Sequence, residues 1–160
     1  QINKIEAGFY YPVIPDSIAV SGQEYYEYKS EQAIFKGALK DGEPDGVWCV
    51  FNVAGRLLGQ FPYGDGKIDG VAPFFYENGD LLAQVTYKNG VIAGYKEFFL
   101  DGTLRAEIAY RKGVRHGTAK FYYNTGHLLC EGRYKNGRQA GKWRYYKVTG
   151  EKRDDFLIYD

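Results

Sequence analysis

Two histidines and two cysteines are all that 160 residues provide, and methionine is absent altogether. That scarcity removes most metal chemistry. His116 and Cys130 form no metal-ligand spacing, and one such pair falls short of the four ligands of a structural zinc site. His116 and His127 both sit beside turn glycines, where a histidine is ordinarily a solvated side chain. Asp154-Asp155 is the one acidic pair near the end, and neighbours on a strand point to opposite faces, so it makes no paired-carboxylate site. No phosphate-cradling glycine loop precedes a helix, because no segment carries a helical period. No apolar run approaches the ~20 residues that span a bilayer. The residues predict no catalytic centre, no cofactor and no metal.

Glycine is what the chain has in quantity, and 16 of the 21 fall on a ruler. Gly22, Gly46, Gly70, Gly94, Gly117 and Gly141 are spaced by 24, 24, 24, 23 and 24 residues. Gly55, Gly79, Gly102, Gly126 and Gly150 form a second column, and Gly42, Gly66, Gly90, Gly113 and Gly137 a third. A period of this length marks a stack of one recurring supersecondary unit. Sixteen Tyr and ten Phe within a 44% hydrophobic chain make the unit a strand pair and exclude disorder.

Each unit reads as two antiparallel strands of about six residues joined by a tight turn. Asn-Gly and Asp-Gly, at Asn78-Gly79, Asn89-Gly90, Asn136-Gly137, Asp41-Gly42, Asp65-Gly66 and Asp101-Gly102, are read as type I′ turns. A Gly-x-x-x-Gly stretch reads as the link to the next unit. In the second strand Leu81, Ala83, Val85 and Tyr87 alternate onto one face, as do Leu104, Ala106, Ile108 and Tyr110. The first strand carries adjacent rings at Phe74-Phe75, Phe98-Phe99, Phe121-Tyr122 and Tyr145-Tyr146, one of each pair inward. The fold expected is all-β, an elongated single-layer antiparallel sheet of stacked hairpins. Residues 1–21 read as an N-terminal cap, 22–150 as five repeats plus the first strand of a sixth, and 151–160 as a capping strand.

Phe75-Tyr76-Glu77-Asn78-Gly79, Tyr87-Lys88-Asn89-Gly90 and Tyr134-Lys135-Asn136-Gly137 with Gly141-Lys142-Trp143 resemble the MORN repeat (membrane occupation and recognition nexus), and its bacterial variant most closely. The resemblance covers about residues 22–150. It implies an elongated sheet of successive hairpins, and roles in protein scaffolding or phospholipid contact. The bacterial variant carries an antitoxin-like label. The shared residues are turn and core positions, so no functional residue transfers.

Charge is segregated along the chain. Residues 1–110 hold 9 basic and 15 acidic residues, residues 111–153 hold 12 and 2, and the last seven add three acids. The plainer reading is a set of solvated strand faces. The sharper one is a basic surface on the last repeats, where Lys120 and Arg144 occupy one repeat position and Tyr122 and Tyr146 another. With Arg133, Arg138 and Lys142 these form the candidate partner-binding set. The expected partner is a protein with an acidic surface, an antitoxin or immunity role being a special case. An anionic glycan or phospholipid headgroup at the cell surface is the alternative. Nucleic acid is disfavoured by the near-neutral net charge and acidic first half. The start at Gln1 suits a chain from which a secretory signal has been removed, hence a periplasmic, surface or secreted bacterial protein; a cytoplasmic location stays open. Cys49 and Cys130, about seven strands apart, are expected to be free, buried thiols.

Overall fold

The computed structural model describes residues 2–4, 10–12, 26–29 and 33–160. Most of the expected N-terminal cap, and residues 22–25 and 30–32 of the first repeat, lie outside the described residues. Within them, β1 (Ile2–Lys4) and β2 (Tyr10–Pro12) pair antiparallel. The rest forms one antiparallel sheet without helix. Its strands are β3 (Tyr26–Lys29), β4 (Ala33–Lys40), β5 (Glu43–Asn52), β6 (Leu57–Gly64), β7 (Lys67–Ile68), β8 (Gly70–Phe75), β9 (Leu81–Lys88), β10 (Val91–Phe98), β11 (Leu104–Arg111), β12 (Val114–Tyr122), β13 (Leu128–Lys135), β14 (Arg138–Tyr146) and β15 (Lys152–Tyr159). Twelve lie in sequence order from β3 to β15, and short β7 pairs with β6 off that path. This is the expected all-β stack of hairpins.

Two kinds of turn alternate along it. Asp41-Gly42, Asp65-Gly66, Asn89-Gly90, Lys112-Gly113 and Asn136-Gly137 have positive φ at both residues, as type I′ requires. The other set departs from expectation. Asp101-Gly102 and Asn78-Gly79 are not type I′, since only the glycine is left-handed. The Gly102 N–H donates to the Phe99 carbonyl and the Phe99 N–H to the Thr103 carbonyl, a type I turn closed by a bulge glycine. Asp101 helps by accepting the Thr103 N–H at 2.8 Å, a bond that holds its carboxyl below the usual range. The Gly-x-x-x-Gly stretches are not links either: they are the opening residues of the next strand and are paired to the strand before.

The ruler glycines bend those strands. Gly46, Gly70, Gly117 and Gly141 pair with Tyr63, Tyr87, Tyr134 and Tyr159, and at Gly117 and Gly141 φ is +104° and +65°. Between Arg115 and Ala119, three residues of β12 face one residue of β11, a bulge two residues deep. In β10 the bulge holds one residue, Ala93. The single 23-residue interval is therefore a shallower bulge, and Gly94 keeps ordinary φ.

This shift realigns the fourth repeat. Cross-strand partners on the buried face run Val50, Gly59, Phe74, Ala83, Glu97, Ala106, Phe121, Cys130 and Tyr145, large against small at nearly every step. Phe98 therefore matches Phe75 and Tyr122, not Phe74. Glu97 takes the inward ring position, 17% exposed, between Ala83 and Ala106. Arg105, where other repeats have Leu58, Leu82 and Leu129, lies 3.5 Å from the Glu97 carboxylate. A carboxylate in an apolar row is tolerable only with such a partner.

The remaining buried row is aromatic and tightly fitted. Trp143 is 1% exposed, and an added Cβ at Gly132 would lie 2.2–2.6 Å from its ring. Trp48 covers Gly37 in the same way and donates its indole N–H to the Ala38 carbonyl at 2.9 Å. Tyr134 meets Trp143 edge-on at 5.4 Å between centroids. The regular ladder is thinnest between β6 and β8, where one registered pair, Gly59 with Phe74, remains. Pro62 and Pro73 sit on these two strands and neither has an N–H to give. The core bridges the seam, with Phe61 and Phe74 edge-to-face at 5.4 Å.

Gly132→Ala is expected to destabilise by about 1–3 kcal/mol through overpacking against the indole, while Gly64→Ala, with nothing near its Cβ and ordinary φ, should leave the urea midpoint unchanged. Equal midpoints for both would contradict the Trp-over-Gly packing. Arg105→Leu alone should cost on the order of 1 kcal/mol by stranding the Glu97 carboxylate, and adding Glu97→Phe should restore the stability. A double variant no more stable than the single would show that the pair has no strained partner to relieve.

Candidate functional site

Alternation places all the basic candidates on the open face. Lys120 pairs with Glu107 on one side and Glu131 on the other, and Glu131 pairs with Arg144. Lys96 opposite Glu107 extends the row, with their charged atoms 3.6 Å apart. The result is a transverse ladder, Lys96, Glu107, Lys120, Glu131, Arg144, alternating in sign. Arg133 lies opposite Thr118, Arg138 opposite Lys135, and Lys142 opposite Ile158, all sharing the same face. The five cations are exposed.

The two tyrosines share that face but are half-buried. Tyr146 donates its hydroxyl to Glu131 at 2.7 Å, a bond that raises its phenol above the ordinary range. Tyr122 occupies the equivalent place one repeat earlier. Their neighbours Phe121 and Tyr145 pack on the buried face. The structure thus gathers the whole candidate set on one surface, and it adds acidic neighbours that a count along the chain had averaged away.

Residues of β15 were missed. Lys152, Arg153 and Phe156 join Lys142 and Arg144 around an open-face hollow of about 190 Å³, with Asp154 and Asp155 at its wall. The signal was an extra residue: Gly150 to Tyr159 spans nine steps, whereas Gly126 to Tyr134 spans eight. A bulge opposite Tyr145 absorbs it, so Tyr159 still reaches its place opposite Gly141 and Phe156 lands opposite Arg144.

The histidines act as ties between turns. The His116 Nδ1 accepts the Asn136 N–H at 3.3 Å, and the His127 Nδ1 donates to the Val148 carbonyl at 2.8 Å. Among the described residues no group of three or more His, Cys, Asp or Glu is placed to hold a metal ion.

A profile of the MORN repeat variant matches residues 68–89 and 115–136. These are the third and fifth glycine-ruled units, each with its type I′ turn. The chain carries MORN-variant repeats. Repeats of this kind suggest a repeat-type binding module. No curated protein matches the chain. Among solved structures it is similar to TarM, at TM-score 0.47 and 13% identity over 68% of this chain and 21% of that one. A TarM mutant from S. aureus, in complex with fondaparinux, alpha-GlcNAc-glycerol and UDP, gives 0.47 and 12% over 69% and 21%. Accessory secretory protein 1, 2 and 3 of Streptococcus pneumoniae gives 0.40 and 14% over 64% and 19%. The MORN chain spans about a fifth of these proteins' length, and likeness at this level carries no argument about activity.

The two thiols are free, as expected, but lie on opposite faces. Cys130 is buried, while Cys49 is half-buried on the open face and receives the Gln60 side-chain N–H at 3.7 Å. Burial pushes the Cys130 thiol up to about 11. Only thiolate reacts, so at pH 8 roughly one Cys130 in a thousand is reactive. An aromatic disulfide reagent at pH 8 should label Cys49 well before Cys130, and Cys130 labelling should climb about tenfold per pH unit toward pH 11. Equal rates at pH 8, read by mass spectrometry, would place Cys130 at the surface.

Proposed function

We propose that the protein is a non-catalytic scaffold that binds a partner protein of acidic surface through the open face of its last two full repeats. One observation carries this reading: Lys120, Arg133, Arg138, Lys142 and Arg144 project from a single face with Glu131 as the one acidic residue among them on β12–β14. A rigid hairpin stack holds such charges at fixed spacings, which favours complementary pairing and steers encounter more than it adds stability. Tyr122 and Tyr146 supply half-buried rings at the margin, the kind of residue that anchors interfaces. Neutralising a toxin is one form this binding would take. The glycan alternative finds less support, because most rings belong to the buried rows and their flat faces are taken.

The test uses proteins encoded by neighbouring genes as candidate partners, measured by calorimetry at low and high salt. Reversing the five cations to Glu should weaken binding by about 100-fold or more while circular dichroism and melting stay near wild type, since exposed charges contribute little to the fold. Tyr122→Ala should weaken it further. A partner that binds the reversed protein as tightly as wild type, with no dependence on salt, would refute the basic-face reading.

A further inference from the structure

The alternating ladder stops one rung short. Lys96, Glu107, Lys120, Glu131 and Arg144 follow one another at sequence steps of 11, 13, 11 and 13, and the next step of 11 is Asp155. Had the spacing held, Asp155 would face Arg144 and close the row with a carboxylate. The additional residue in β15 prevents this. Phe156 faces Arg144 instead, and Asp155 is taken by Arg153, whose Nε and Nη2 donate to its two oxygens at 2.8 and 2.6 Å. On the other flank of Arg144, the Glu131 carboxylate already accepts the Tyr146 hydroxyl.

What remains is the hollow of about 190 Å³ beside the displaced rung. Arg144 and Lys152 line it, and among the described residues no carboxylate is bonded to either. Lys142 lies over the Phe156 ring, 3.7 Å from its centroid, which fixes the ammonium without neutralising it. The hollow thus offers three cations that make no ion pair among the described residues, around an apolar floor with Asp154 at the wall and half of Phe156 open to solvent. That combination suits a carboxylate on a short aliphatic stem, the stem against the ring and the oxygens between Arg144 and Lys152.

We propose that this hollow between β14 and β15 is the anchoring subsite for a glutamate or aspartate side chain of the partner protein, which supplies the missing rung of the ladder. The proposal rests on the basic-face reading above and narrows it to one seat. Asp154 at the wall sets the specificity. It repels a second acidic group, so the subsite takes one carboxylate, and the neighbouring acidic residues of the partner meet Arg133, Arg138 and Lys120.

The experiment titrates the ¹⁵N-labelled full chain with a hexaglutamate peptide, and separately with inorganic phosphate. The key variant is Phe156→Glu, which installs an internal carboxylate opposite Arg144 at an exposed position. A second variant, Arg144→Ala, removes the cation itself. The expected result is peptide-induced shifts largest on Lys142, Arg144, Lys152 and Phe156, with affinity about tenfold weaker in each variant. If shifts spread evenly over the open-face cations and Phe156→Glu binds like wild type, the subsite is refuted and the broader basic face survives. Should the peptide fail to bind wild type at low salt, the basic-face reading falls and the subsite with it. Phosphate occupying the hollow more tightly than the peptide would also overturn the proposal, making it a small-anion site.

Discussion

Most of the stack depends on a glycine set opposite a tyrosine, at Gly46, Gly70, Gly117 and Gly141, with Gly94 of the fourth repeat the exception. At Gly117 and Gly141 the backbone turns left-handed, which lets two extra residues bulge out of the first strand without losing the partner's register. The bulge changes how far the strand advances, so the same faces recur after 24 residues. A β-branched residue could not take that φ. Everything else follows from the repeat length this constraint sets, including the large-against-small rows, the edge-on Trp143 and Tyr134 rings, and the transverse charge ladder. The Tyr123 hydroxyl, bonded to the Tyr146 carbonyl at 2.9 Å, and the Gly137 N–H, bonded to the Arg115 carbonyl at 2.8 Å, then tie successive units at opposite edges.

The period, the strand pairs and most of the inward face of the second strand were legible, because they depend on residue type at fixed spacing. A bulge at the strand's start overturns the rest, packing Leu82 on the core and leaving Leu81 and Leu104 opposite the outward Phe75 and Phe98. What the glycine columns do is less visible. All three read alike in the sequence, yet one bends strands, one closes type I′ turns and one closes type I turns, and only backbone geometry separates them. Asp101-Gly102 was misread for that reason: a preceding Asp is common to both turn types. Phe98 was misassigned because the missing residue could be placed anywhere between Gly90 and Gly102 until the bulge depth located it. The basic surface was legible as composition. Its acidic rungs were not, since Glu107 and Glu131 are 11 and 13 residues from their partners and become neighbours only across strands.

Departures from the repeat are concentrated in three places, and each has a different physical character. At β6–β8 two prolines thin the hydrogen-bond ladder and leave Phe61 on Phe74 to carry the seam. In the fourth repeat a shallower bulge turns a carboxylate inward and Arg105 follows it. At β15 an added residue keeps Tyr159 in place and sends Phe156 outward. The first two are compensated within the chain, by ring packing and by an ion pair. The third is compensated on the buried face only, because Tyr159 still reaches Trp143 while on the open face Lys142, Arg144 and Lys152 make no ion pair among the described residues.

That asymmetry argues for where selection acts on such a stack. The buried face tolerates little change, since Gly132 admits no Cβ and the neighbouring rings are in contact. The open face contributes little to stability per charge, so its residues are free to follow a partner's surface. A ladder of alternating sign is nearly neutral along most of its length and would repel and attract a charged partner about equally. Within the ladder itself, net attraction arises only where the alternation fails. A one-residue insertion is the smallest change that breaks it, because a strand shifted by one residue exchanges its faces. In a fold whose period is fixed by glycine bulges, such a slip can be absorbed within one strand and confined to the end of the sheet. There it alters the open surface without disturbing the repeats behind it.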